Sequence, residues 1–217
     1  MAKLTAPLLS FGARGQIGKT MVTSSWRGIK YARQHVIPTN PQTVAQMFVR
    51  NMFAMLREAW KLAPAQITAT WDSFAQGRPF TGMNKWVGEN VRALNGEADL
   101  NNIIFSPGSK GGLPPVGFSA ATGATPGAVV GTFTYPDAPP GWTLVGGVVA
   151  AIPDSAPDAF FQGPFRATTV VAPAVDGIVT DMGDGVDCQV GGWLVWTKPN
   201  GETAYSVSLV DQATSDV

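Results

Sequence analysis

The segment near the start with the most recognisable spacing is Gly12-Ala13-Arg14-Gly15-Gln16-Ile17-Gly18-Lys19-Thr20. A phosphate loop needs Gly-x-x-x-x-Gly-Lys-Ser/Thr, a count that lets successive backbone N–H groups curl round phosphate oxygens. Here five residues separate Gly12 from Gly18, no helical period follows Thr20 and no βαβ pattern surrounds it. The segment reads as a turn. His35 is the one histidine, and no acid lies within twenty residues of it to orient it as a general base. It reads as a surface or interface residue. Cys188, the one cysteine, sits in an acidic, β-prone stretch that raises a thiol's pKa, which fits a small core residue. Asp181, Asp184 and Asp187, with Asp176 nearby, are the dense acids, but a spacing of three around Gly183 and Gly185 misses the alternate-residue ligands of a calcium loop. They read as a solvated loop. No pair of carboxylates stands out for glycoside cleavage. What remains is Trp26, Arg27, Lys30, Tyr31 and Arg33, cations interleaved with aromatics. That mixture can stack on and neutralise a nucleic acid, or dock on an acidic protein surface by the same physics.

The charge pattern sharpens this reading. The chain has 217 residues, 15 Lys+Arg, 15 Asp+Glu and no net charge. Residues 1–61 nevertheless carry nine bases (Lys3, Arg14, Lys19, Arg27, Lys30, Arg33, Arg50, Arg57, Lys61) and one acid (Glu58), a net +8. Residues 113–217 carry two bases (Arg166, Lys198) and ten acids, a net −8, while residues 62–112 balance. Opposed halves point to an acidic partner for the N-terminal region: nucleic acid, another protein, or the acidic half of a neighbouring copy. One Cys excludes an intramolecular disulfide, and one Cys with one His excludes the usual zinc shells. No cofactor is implied. The longest apolar run, 144–152, is about half a bilayer span and contains Gly146 and Gly147. Leu8 and Leu9 are too few for the apolar core of a signal peptide. The expectation is a soluble protein made in the cytoplasm, with no membrane role.

Only 14% of residues are charged, while Gly (25) and Pro (17) are frequent, a turn-rich composition with enough apolar residues for a core. Residues 1–39, with no acid and no helical period, predict an extended basic arm ordered by what it lies on. A helical segment follows over 40–96. Asn40 and Pro41 predict the first helix start. One apolar stripe then runs Val44, Met47, Phe48, Met52, Met55, Ala59, Leu62, and a second Val49, Phe53, Leu56, Trp60. Two apolar faces predict two neighbours, with another subunit covering one. Pro64 opens a second helix on Ile67, Thr70, Trp71 and Phe74, and a third runs from about Gly82 to Leu94. Residues 97–115 read as a linker. From 116 to 217, seven short β-prone runs separated by turn clusters match the arithmetic of an immunoglobulin- or fibronectin-type sandwich. The predicted fold is therefore α+β and segregated: arm, about three helices, then a C-terminal β-sandwich.

The stretch Gly15-Gln16-Ile17-Gly18-Lys19 … Trp26-Arg27-Gly28-Ile29-Lys30-Tyr31-Ala32-Arg33 … Pro38-Thr39-Asn40-Pro41-Gln42-Thr43 … Gln46 … Arg50 … Phe53 … Trp60 … Trp71 resembles uncharacterised phage and prophage structural proteins. Those chains share a Gly-x-x-Gly arm, a Pro-x-Asn-Pro-x-Thr-x-x-Gln helix start and a fibronectin-like C-terminal domain. The resemblance covers roughly residues 12–75, and more loosely the hairpin from Gly191 to Pro199; it departs after Leu62, where Pro64 and Ile67 replace a polar run. It implies a virion component, anchored to other capsid, neck or tail subunits and oligomeric in the particle, and no catalytic residue. The expected role is a capsid cement, decoration or head–neck protein, not an enzyme. The expected partner-contacting residues are Trp26, Arg27, Tyr31, Arg33, Phe48, Met52, Phe53 and Trp60. The alternatives are a tail-fibre or adhesion module binding glycan or host surface through the sandwich, and a nucleic-acid-binding protein using residues 1–61.

Overall fold

The computed structural model describes residues 2–3, 14–95, 100–109, 111–154 and 163–217. The chain divides into two units, Met1–Gln42 and Thr43–Val217.

In the larger unit three helices form first: α1 (Val44–Leu62), α2 (Ala65–Ala75) and α3 (Gly82–Ala93). The first starts later than Asn40 and Pro41 predict. Gln42 adopts φ 48°, which breaks a helix, and the Thr43 hydroxyl then accepts from the Gln46 N–H at 3.4 Å as the cap. Thr81 caps α3 the same way, accepting from Asn84 N–H at 3.3 Å.

All seven β-prone runs form strands: β5 (Gly117–Thr122), β6 (Val129–Thr134), β7 (Thr143–Pro153), β8 (Arg166–Val171), β9 (Asp176–Val179) and β10 (Asp187–Thr197), with the last run split into β11 (Thr203–Tyr205) and β12 (Leu209–Thr214). The split has a side-chain cause. Between them the Ser206 hydroxyl accepts from Leu194 N–H at 2.8 Å, and the Ser208 hydroxyl accepts from Phe105 and Ser106 N–H at 3.1 and 3.2 Å. Ser206 stays tied to β10, its N–H also donating to the Leu194 carbonyl at 2.9 Å with the hydroxyl in place of a backbone acceptor, while Ser208 serves residues 105–106. A five-stranded antiparallel sheet runs β11-β10-β7-β8 with β12 also on β10, and a three-stranded one runs β5-β6-β9. The fold is α+β, with helices segregated from an antiparallel sandwich.

Strands β7 and β10, eleven residues each, hold the layers together. They pair from Cys188↔Pro153 to Thr197↔Thr143, with an irregularity between Val195 and Trp196. Alternate residues point to opposite faces. Val148, Ala150, Ile152 and Trp193 join the helices' Met52, Leu56, Ile67, Trp71 and Trp86 in one core. Val149, Ala151, Val190, Leu194 and Trp196 join Val129, Phe133 and Val179 of the three-stranded sheet in a second. Helices, five-stranded sheet and three-stranded sheet are therefore three layers over two cores. Gly191 and Gly192 permit the close approach on both sides. A Cβ at 191 meets the Phe105 ring at 2.1 Å and one at 192 meets the Phe118 ring at 2.3 Å.

Residues 97–115, predicted as a linker, are instead partly core; 96–99 and 110 lie outside the described residues. Leu100, Ile103 and Phe105 are fully buried. The buried Asn90 side chain clamps the backbone of Ile104, accepting from its N–H at 2.6 Å and donating to its carbonyl at 3.2 Å, while Trp71 Nε1–H donates to the Phe105 carbonyl at 2.9 Å. Helices and sandwich accordingly form one unit rather than separate domains over 40–96 and 116–217.

Candidate functional site

The cation- and aromatic-bearing residues lie in the smaller unit, where the described part of the predicted arm is a four-stranded antiparallel sheet. Its strands are β1 (Ala2–Lys3), β2 (Gly15–Ile17), β3 (Met21–Trp26) and β4 (Ile29–Gln34), in the order β1-β4-β3-β2. Two turns make the hairpins. Arg27 and Gly28, at φ 47° and 80°, form the two-residue β3–β4 turn with the left-handed backbone that matches strand twist. Gly18, at φ 55°, begins the β2–β3 turn, and Thr20 N–H closes on the Ile17 carbonyl at 3.4 Å. Gly18-Lys19-Thr20 is thus a strand-to-strand turn, without the strand-to-helix geometry of a phosphate loop.

The register Val22↔Arg33, Ser24↔Tyr31, Trp26↔Ile29 places Trp26, Ile29, Tyr31 and Arg33 on one face. Trp26 is 67% exposed, Ile29 46%, and the Arg27 guanidinium stands 5.6 Å from the Trp26 ring centroid. Thr23 is the one buried residue among those described in this unit. The result is an exposed aromatic–aliphatic strip edged by guanidinium groups. It can form apolar contacts and charge-assisted hydrogen bonds with an acidic surface.

The four residues expected on α1 divide differently. Met52 is fully buried, and Phe48 and Trp60 pack against the same core, with the Trp60 ring 5.5 Å from that of Trp86. Met52 is therefore no surface contact, because the helix-facing side of β7 and β10 supplies the neighbour that two apolar stripes seemed to lack. Phe53 does remain 46% exposed. It lines an open groove of about 620 Å³ between α1 and α3, with Arg57, Met83 and Val87. Glu58 accepts both hydrogen bonds of Lys61 at 2.8 Å, which lowers its pKa.

Two other concavities occur. One of about 480 Å³ lies where α2 and α3 meet residues 101–107 and 207–210, rimmed by the Lys85–Glu89 ion pair, whose hydrogen bond lowers the Glu89 pKa. Another, of about 390 Å³, is polar and lined by Asp154, Asp187, Cys188 and Gln212. Burial, then the neighbouring Asp187 and Asp154, pushes the Cys188 thiol up to about 11. Asp181 and Asp184 are exposed loop residues and Asp187 is the exposed first residue of β10, and the described residues hold no group of three or more His, Cys, Asp or Glu placed to bind a metal.

No protein-family model matches the chain, and comparison with curated proteins gives no significant match. Solved structures similar to it are β-sandwiches at low identity. The fn3 domain of human collagen α-1(XX) has TM-score 0.36 at 18% identity, over 51% of this chain and 91% of that one. A Fn3-like protein from Clostridium thermocellum has TM-score 0.30 at 17%, over 49% and 94%. A computationally redesigned β-sandwich protein has TM-score 0.33 at 14%, over 48% and 90%.

Proposed function

We propose that the chain is a bacteriophage virion structural protein, a capsid cement, decoration or head–neck component made in the host cytoplasm. Its N-terminal sheet and the exposed side of α1 anchor it to neighbouring subunits, and its sandwich forms the outward body. One observation carries this reading: the unit Thr43–Val217 buries two cores of its own, whereas Trp26 and Ile29 of the N-terminal sheet lie exposed beside Arg27 and Arg33. A region that folds into a ladder yet buries so little is suited to completion by another molecule. The resemblance of residues 12–75 to phage structural proteins supports the virion as the setting.

Mass spectrometry of purified particles from a host carrying the gene tests the proposal. The chain is expected at stoichiometric copy number, and particles assembled with the Trp26→Ala/Arg33→Ala variant should lose it. A protein absent from particles but retained by immobilised glycan contradicts the reading in favour of an adhesion module. Retention on duplex DNA with affinity falling steeply with salt favours nucleic-acid binding.

A further inference from the structure

Resting on that reading, we propose that the Trp26–Ile29–Tyr31–Arg33 face of the N-terminal sheet docks on the acidic end of the sandwich in a second copy of this chain. The acidic end is built by backbone hydrogen bonds between loops. Gly127 and Gly185 N–H both donate to the Asp216 carbonyl, at 2.9 and 3.3 Å. Met182 N–H donates to the Gly127 carbonyl at 3.0 Å, and Asp154 N–H to that of Asp187 at 2.8 Å. These ties gather Asp154, Asp181, Asp184, Asp187 and Asp216 at one end of the sandwich. Asp181, Asp184 and Asp187 are exposed, and among the described residues no ion pair within 4.0 Å engages any of the five.

The complement is the N-terminal sheet, whose docking face bears Arg33 with Arg27 at its turn, with Lys19 in the β2–β3 turn and no acid before Glu58. Charge selects the occupant. Residues 1–42 carry six bases and no acid, a net +6, and residues 43–217 carry a net −6, so the N-terminal unit of one copy docked on the body of the next matches its charge. A nucleic acid would neutralise the first region alone and leave the acidic body unmatched, whereas a second copy matches both. Because the two surfaces differ, each contact leaves one cationic face and one acidic end to be filled, either reciprocally within a pair of copies or by further copies in a ring or chain.

Sedimentation of the purified full chain at about 50 mM and about 500 mM salt tests this directly. Concentration-dependent assembly is expected at low salt and monomer at high salt. Arg27→Glu/Arg33→Glu should weaken assembly at least tenfold, Asp184→Lys/Asp216→Lys should do the same, and all four changes together should restore it. All four side chains lie outside both cores, and protection of Cys188 from alkylation reports that each variant is folded. A full chain that stays monomeric at both salts overturns the inference, as does assembly indifferent to either charge reversal, or no recovery in the combined variant. A monomer that compacts at low salt places the sheet on its own sandwich and also overturns it. A chain monomeric in buffer yet present in particles overturns this contact alone; self-assembly by a chain absent from particles overturns the virion role instead.

Discussion

Strands β3 and β4 and strands β7 and β10 use the same antiparallel ladder for different ends. The first pair has six residues on each strand and bears one buried side chain, Thr23. The second pair has eleven on each and is covered on both faces, by helices on one side and by a second sheet on the other. Backbone pairing contributes about 1 kcal/mol or less per hydrogen bond once water is counted, so burial separates a self-sufficient sheet from one that needs company. In this chain the two regions differ accordingly: one buries two cores, the other leaves Trp26 and Ile29 exposed.

The most severe way to probe that difference is truncation. Removing residues 1–42 should leave thermal unfolding of the remaining body nearly unchanged, because none of the described residues among them joins either core. Starting the chain at residue 110 should abolish cooperative unfolding, since Trp193 and Val148 then lose Met52, Trp71, Trp86 and Phe105. Paired substitutions sharpen the contrast. Trp193→Ala should cost about 3–5 kcal/mol by denaturant titration, whereas Trp26→Ala should stay within about 0.5 kcal/mol. Gly191→Ala should cost about 1–3 kcal/mol, because its methyl has to displace the fully buried Phe105 ring.

Titration distinguishes core from surface. The folded body holds Cys188 protonated up to about 11, above its ordinary 9.0. That contribution to stability is full below pH 9 and is lost as pH rises toward 11. Thermal melts of the parent should fall over that window more steeply than those of Cys188→Ala. Glu89 has the opposite sign: its lowered pKa gives stability present above 4.5 and lost as pH falls below it. The pair with Lys85 is partly exposed, so Glu89→Gln should shift stability by about 0.5 kcal/mol or less, and only above that pH.

The sandwich and helices were legible because their periods are strong: Ile67, Thr70, Trp71 at helical spacing, and seven β-prone runs parted by turns. The layering was less so. The unalternating run 144–152 and the apolar 190–196 are what a strand buried on both faces looks like, a signal that would have supplied the missing neighbour of α1. Residues 100–105 were obscured by flanking Gly, Asn and Pro, although Ile103 and Phe105 already mark burial. In the N-terminal region Trp26, Arg27, Tyr31 and Arg33 were legible as a group by type. Their common face was not, because it depends on the Arg27–Gly28 turn that sets the register.

Hydrogen exchange on the dilute full chain measures the difference between the two ladders most directly. Amides of 148–152 and 189–196 should exchange only through global unfolding, while those of 21–34 exchange orders of magnitude faster and slow once the chain assembles. Equal protection of both ladders in a dilute monomer would contradict the account.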